Sequence, residues 1–534
     1  MIALTSALAI ALAWVVIPLA LRIKKSWAKL SAIPGPRSTS WLLGNLREYN
    51  DSPRDLISDE WMEQFGYVVR IHGFCQTLML LITDNRAINH ILTNYTSFTK
   101  PEFIRLDLSK LLCEGTVLAQ LTSCSLQRRI LNQVFGSAQI REAASTFFDK
   151  ALELRDLWIS QTAAGQNSTR IDVLHGLNMA SLGAVGQAVF NCDFEALKSD
   201  QKSNVFASTM AQVFSMPNQK HVLVLMKYLF PAPNFIIDPN MKLVNRAVDM
   251  MRGIGARLVA EKKASLLRDG ESGGNLSEDR DFVSVLVKAH IKSEVPGEQR
   301  LSQDDVLSRN DSFIIAGHET TSDATTWCLY ELAQAPHVQT KLREELFTVH
   351  TDTPTMDELM SLPYLDMVVR EILRLHTPIT STIRTANKCD VIPLETPFRG
   401  LDGRMHHSVE VPEGTIMIIP FMAIHRSKAI WGPDTSDFRQ VGVLSPPKAS
   451  GNIPGAWSHL LSFGGGPRAC IGFRFALVEM KALIFTLLRV FEFTPAVGSA
   501  EISTMPGIVL RPCLKSVPEE GSQMPLLVRR CEIA

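Results

Sequence analysis

The segment Phe463-Gly464-Gly465-Gly466-Pro467-Arg468-Ala469-Cys470-Ile471-Gly472 places a cysteine among glycines, an arginine and an aromatic ring. A phosphate cradle would need a Gly-Lys-Ser/Thr end, which is missing. An inert buried cysteine in a glycine turn is one remaining reading. The other is a thiolate that ligates heme iron and pushes electron density onto bound dioxygen, favouring O–O cleavage. Every position suits that chemistry. The glycines, Gly464 first, let backbone N–H groups approach the sulfur. A helix predicted over Ile471 to Val490 would bring the positive end of its dipole to Cys470. Phe463 would cover the sulfur side of the ring, and Arg468 would pair with a heme propionate.

A second chemical segment is Ala316-Gly317-His318-Glu319-Thr320-Thr321. It falls inside a long helix predicted from the capping-box spacing of Ser302 and Asp305 to Ala335, just before Pro336. Glycine in a helix interior costs roughly 1 kcal/mol relative to alanine. Gly317 is therefore either a packing glycine at a helix crossing or, with Ala316, a clearing for a flat ligand and a diatomic molecule. His318 reads as a packing or surface histidine rather than a metal ligand. Glu371 and Arg374 share one helix face at i,i+3, in a helix that Pro363 opens and that carries Tyr364–Leu375. Thr415 to Ile419 reads as a strand after the turn Pro412-Glu413-Gly414.

With these landmarks in order, the chain resembles the cytochrome P450 family of heme-thiolate monooxygenases. Phe463, Gly466, Arg468, Cys470 and Gly472 match its F-x-x-G-x-R-x-C-x-G pattern without a gap, and the resemblance runs from about Pro34 to Pro512. It implies a mainly α fold with a smaller β region and one heme b, whose iron takes Cys470 as its axial thiolate. It implies that Thr320 hydrogen-bonds the oxygen under activation and that Glu319 helps deliver protons. It makes Glu371–Arg374 a buried structural ion pair, and Arg384 and Arg128 propionate contacts beside Arg468. Electrons would come from NADPH–cytochrome P450 reductase, and one oxygen atom would enter an apolar small molecule. The wording of the landmarks is closest to fungal microsomal members of basidiomycete type, whose setting is secondary metabolism, such as terpenoid biosynthesis, or xenobiotic oxidation. Phe103–Leu112, Phe206–Phe214 and Thr377–Thr382 are the expected substrate-cavity segments.

Two stretches depart from the family pattern. Downstream of Trp431-Gly432-Pro433-Asp434, the position of a third structural arginine is Gly442, with Arg439 nearby. In Leu121–Leu126, Cys124 stands where the family has His or Trp. These departures make an impaired heme protein one alternative reading. The other is a heme-thiolate isomerase or dehydratase, which the intact Glu319-Thr320 pair opposes.

The 534 residues permit several domains, but ordered landmarks over most of the length favour one catalytic domain, 37–534. Lys+Arg and Asp+Glu are both 54, which argues against a nucleic-acid partner. Hydrophobic residues make up 46%, enough for a large core. Nine cysteines with no CxxC pair exclude a disulfide framework or a cysteine-rich zinc site. Ile2 to Leu21 carries no charge, and as a helix would span roughly 30 Å, the thickness of a hydrocarbon core. Residues 1–21 are thus expected to be a transmembrane anchor. The basic and Pro-rich hinge 22–36 that follows carries Arg22, Lys24, Lys25 and Lys29, placing the catalytic domain in the cytosol. With the family resemblance this implies the endoplasmic reticulum membrane. No second span of this kind is expected; Val222–Phe230 is short and contains Lys227.

Overall fold

A computed structural model describes residues 17, 20–21, 23–52, 56–106, 128, 132, 135–162, 168–194, 196–197, 209, 212, 241–271, 303–435, 437–438, 447–505 and 509–531. Most of the uncharged N-terminal segment, Leu121–Leu126, Val222–Phe230, Arg439 and Gly442 lie outside them.

Helices dominate. The principal ones are α1 (Asn85–Thr93), α2 (Ser137–Gln161), α3 (Val173–Phe190), α4 (Met241–Glu271), α5 (Gln303–Gln334), α6 (Pro336–Phe347), α7 (Pro363–Leu375), α8 (Phe421–His425) and α9 (Phe473–Leu488). The long helix α5 ends where expected, because Pro336 has no N–H to continue it and instead opens α6. Pro363 opens α7 in the same way. Helix α9 begins at Phe473, two residues later than predicted, since Ile471 and Gly472 belong to the cysteine turn.

Helix α3 bears on the expectation of a single span. It is long and apolar enough to cross a membrane, so composition alone marks a second candidate span. It is nevertheless largely buried and packs against α5 and α2 in the main apolar core. The crossing with α5 is close: a Cβ built on Gly317 would lie 2.8 Å from Val185 Cγ2. Trp158, Trp327, Phe147 and Phe485 fill the same core.

The strands β1 (Val68–His72), β2 (Leu78–Ile82), β3 (Phe98–Thr99), β5 (Ser381–Ala386) and β8 (Ile416–Pro420) form a sheet ordered β1-β2-β8-β5-β3. Only the β2–β8 pairing is parallel. A second sheet runs β4 (Thr169–Asp172), β12 (Pro525–Arg530), β9 (Phe491–Pro495). Two hairpins complete the β component, β6 (Asp390–Arg399) with β7 (Met405–Val411), and β10 (Ile502–Met505) with β11 (Arg511–Leu514). The strand predicted at Thr415–Ile419 is β8, shifted by one residue. It is buried along its whole length, which explains its unbroken apolar run.

Candidate active site

Cys470 sits in a turn that the backbone holds independently of the sulfur. Its N–H donates to Phe463 O at 2.8 Å. Gly464, at φ +69°, turns the chain between them, a conformation that side chains resist. Arg128 reaches in from far along the sequence, its Nη2 donating to Ala469 O at 2.6 Å. The sulfur is accessible yet recessed. Burial pushes the thiol up, opposed by the Gly472 N–H and by the positive charge of Arg128. Phe463 is bracketed by Trp457 and Phe473, with ring centroids at 5.9 and 6.0 Å.

Beside the loop lies a concentration of positive charge. Strand β3 pairs with β5 in the register Thr99↔Thr385, which brings Lys100, the next residue, close to Arg384. Burial and then the charges of Arg384 and Arg468 lower Lys100 to about 8. Burial and then Arg468 lower Arg384 to about 10. Arg384 Nη1 donates to Thr382 Oγ1 at 2.5 Å and Ile383 O at 2.9 Å. Arg468 Nε and Nη2 are buried with no hydrogen-bond partner among the described residues, while its guanidinium stacks over Tyr95 at 5.4 Å. Like charges crowd together at such cost only where an anion compensates them. Sequence reasoning had Arg384 and Arg468 but missed Lys100 and Tyr95, since only the β3–β5 register brings Lys100 to this place.

On α5, Ala316 is exposed while Glu319 is buried. The Thr320 hydroxyl donates to Ala316 O at 2.9 Å. Gly317 is a packing glycine, its missing side chain directed at Val185 of α3, while its neighbour Ala316 stays exposed. His318 is a buried histidine. Among the described residues no group of three His, Cys, Asp or Glu side chains could hold a metal ion. Of the expected cavity segments, Phe103 packs against an apolar cluster that includes Val69, Leu81 and Ile418, and Thr380 O accepts the N–H of Met422. Residues 107–112, and all of 206–214 except 209 and 212, fall outside the described part.

The cytochrome P450 family model matches residues 34–517. The chain belongs to the cytochrome P450 family. It is 42% identical over 507 residues to cytochrome P450 monooxygenase 128 of Postia placenta, covering 94% of this chain and 93% of that one. Cytochrome P450 monooxygenase 205 of the same fungus is 41% identical over 527 residues, covering 98% and 96%. Cytochrome P450 monooxygenase claQ of Ampulloclitocybe clavipes is 32% identical over 517 residues, covering 94% of each chain.

As a cytochrome P450 monooxygenase it is a heme-thiolate enzyme that works with a redox partner on small molecules. The residues present fit a heme: a recessed thiol with a backbone donor and a nearby cation, and buried guanidinium donors on Arg468 without a protein acceptor.

This P450 also shows what surrounds its structural arginine. Arg374 Nε and Nη2 donate to the two carboxylate oxygens of Glu371, both at 2.8 Å. Its Nη1 donates to His425 O at 2.7 Å and Thr435 O at 2.8 Å. Its guanidinium lies 5.4 Å from the Trp431 ring centroid. The Trp431–Thr435 stretch, upstream of the position where the family pattern has a further arginine, thus supplies a carbonyl and a ring.

His425 adds a pH-sensitive element. Its Nε2 accepts the Leu461 N–H at 2.8 Å, so the ring must be neutral, and burial with the charges of Arg374 and Arg426 lowers it to about 3. The unfolded value is near 6.5. The unfolded chain therefore binds the extra proton first, and stability falls as pH drops from about 6.5 toward 3. In urea titrations His425→Gln should flatten this slope by up to about 1.4 kcal/mol per pH unit. Identical slopes for the two proteins would show that His425 is not neutral in the fold.

Proposed function

We propose that this monooxygenase inserts one oxygen atom into an apolar small molecule of fungal secondary metabolism, such as a terpenoid, or into a xenobiotic. It draws electrons from NADPH–cytochrome P450 reductase. Ile2–Leu21 anchors it in the endoplasmic reticulum membrane, with the catalytic domain on the cytosolic side.

The observation that carries this reading is the conjunction of the Cys470 turn with the buried cations at Lys100, Arg384 and Arg468, whose excess charge calls for an anionic cofactor edge. Cys470 would hold the heme iron as a thiolate, since a thiol must lose its proton to bind a metal. Arg468 and Arg384, supported by Lys100, hold the propionates. Arg128 keeps the loop closed through Ala469 O. Heme, once bound, supplies the activation of dioxygen. The Thr320 hydroxyl, which here donates to Ala316 O, would be able to turn away from it to hold a proton at its own oxygen.

The test is product analysis with a matched reductase, NADPH and a panel of terpenoid and aromatic compounds, beside the carbon monoxide difference spectrum of the reduced protein. A thiolate-type band with oxygenated product is expected. Bound heme without that band, or no NADPH-dependent product from any compound, would overturn the reading. Thr320→Ala should keep the band but lower product formed per NADPH by about tenfold or more, with peroxide or water taking the electrons. Undiminished yield would remove Thr320 from proton handling.

A further inference from the structure

The cations beside the cysteine turn are not equivalent. Arg384 and Arg468 carry guanidinium groups, which hold their proton firmly. Lys100 carries an ammonium, which gives up its proton when burial and like charges oppose it. The fold imposes both. Lys100 directly follows β3, and the Thr99↔Thr385 register sets it beside Arg384 on β5. Arg384 is 7% exposed, so water screens its charge poorly. Arg468 enters from the turn, with Nε and Nη2 buried and unbonded among the described residues. Among those residues no carboxylate lies in ion-pair range of Lys100, Arg384 or Arg468. His90 of α1 packs on Phe98 of β3, but it faces Asp390 of β6 at 3.4 Å. Glu102 and Arg105 follow on the same segment without an ion pair to Lys100. Burial, and then the charges of Arg384 and Arg468, hold Lys100 at about 8.

We propose that Lys100 couples heme capture to proton uptake: its amine gives up a proton to relieve the crowding with Arg384 and Arg468, and takes one back from solvent when the heme propionates dock on the three side chains. This rests on the placement of the propionates given above. One N–H bond forms at Lys100 Nζ with a proton from water or buffer, and no electron moves. The carboxylates cancel the guanidinium charges that oppose the ammonium and offer it acceptors, so the bound form keeps its proton to higher pH. The sign follows from linkage. Heme binds the protonated form better, so affinity falls as pH rises through about 8. Uptake is slight at pH 7, about half a proton at pH 8 and about nine-tenths of a proton at pH 9. A third guanidinium here would keep its charge permanently. The lysine relieves the heme-free fold of that repulsion and restores the charge only when the cofactor arrives.

The experiment titrates full-length wild type and Lys100→Arg, both freed of heme, with metal-free protoporphyrin IX at pH 7, 8 and 9. Calorimetry in buffers of different ionisation heat counts the protons exchanged. The probe carries the propionates but no iron, so the Cys470 thiol takes no part. At pH 9 wild type should take up about nine-tenths of a proton more than Lys100→Arg, and at pH 7 about a tenth. Its dissociation constant relative to Lys100→Arg should rise about tenfold over that range. Lys100→Met should show no such uptake and weaker binding at every pH. Arg384→Gln should lower the uptake at pH 8, because one repelling charge is gone; a lysine that only packed would not respond. A second measurement starts from the heme-loaded proteins and follows the partition of heme to apomyoglobin. There wild type should lose ground to Lys100→Arg by the same factor between pH 7 and pH 9. Equal proton uptake by the two proteins at pH 9, or a ratio of affinities that does not change with pH, overturns the coupling. If Lys100→Met and Arg384→Gln bind the porphyrin as tightly as wild type, the propionates lie elsewhere, and it is the underlying placement that fails.

Discussion

Cys470→Ala is expected to abolish the thiolate-type band of the reduced, carbon monoxide-treated protein and to reduce reductase-dependent product to background. The fold should survive. The turn is closed by the Cys470 N–H to Phe463 O, by Gly464 in its left-handed conformation and by Arg128 on Ala469 O, and none of these uses the sulfur. Circular dichroism and the urea midpoint of the metal-free protein should therefore stay close to wild type. Cys328→Ala is the natural control, since Cys328 is a wholly buried core thiol whose ionisation burial strongly opposes. It should keep the band and lose only packing stability. A band that survives in Cys470→Ala would mean that another residue is the ligand.

What could be read in advance follows the locality of each feature. The cysteine turn is contiguous, and its chemistry depends on neighbours within ten positions, so residue types sufficed. The boundaries of α5, α6 and α7 were legible because Pro336 and Pro363 act on the backbone at their own positions. Gly317 was not decidable, since its two readings differ only in what faces the missing Cβ, and Val185 arrives there on another helix. Lys100 reaches Arg384 through the β3–β5 register, and Arg511 reaches Glu319 from a hairpin near the C-terminus. Neither approach leaves a local pattern. The further acceptors of Arg374 were not legible for another reason. Two of its acceptors are backbone carbonyls, of His425 and Thr435, and every residue type carries a carbonyl.

Arg374 therefore supports a prediction about the fold itself. The Glu371–Arg374 pair is 2% and 4% exposed, so neither charge can turn to solvent if the other is removed. Arg374→Ala leaves the Glu371 carboxylate without that counter-charge and strips a donor from His425 O and Thr435 O. Breaking one side of such a pair costs about 3–5 kcal/mol, a large part of the 5–15 kcal/mol that typically separates folded from unfolded chains. Heme-loaded protein should fall to a small fraction of wild type, with the urea midpoint lowered accordingly. Glu371→Gln should lie between, because the amide oxygen still accepts one of the two guanidinium bonds. The contrasting pair is Arg141–Asp357, 54% and 70% exposed, where solvent replaces the lost partner and Arg141→Ala should leave both readouts unchanged. If Arg374→Ala behaves like Arg141→Ala, the buried pair does not hold the core behind the cysteine turn. If Arg374→Ala collapses while Glu371→Gln retains intermediate heme loading, the fork of bonds from Arg374 is what joins α7 to the Trp431–Thr435 stretch.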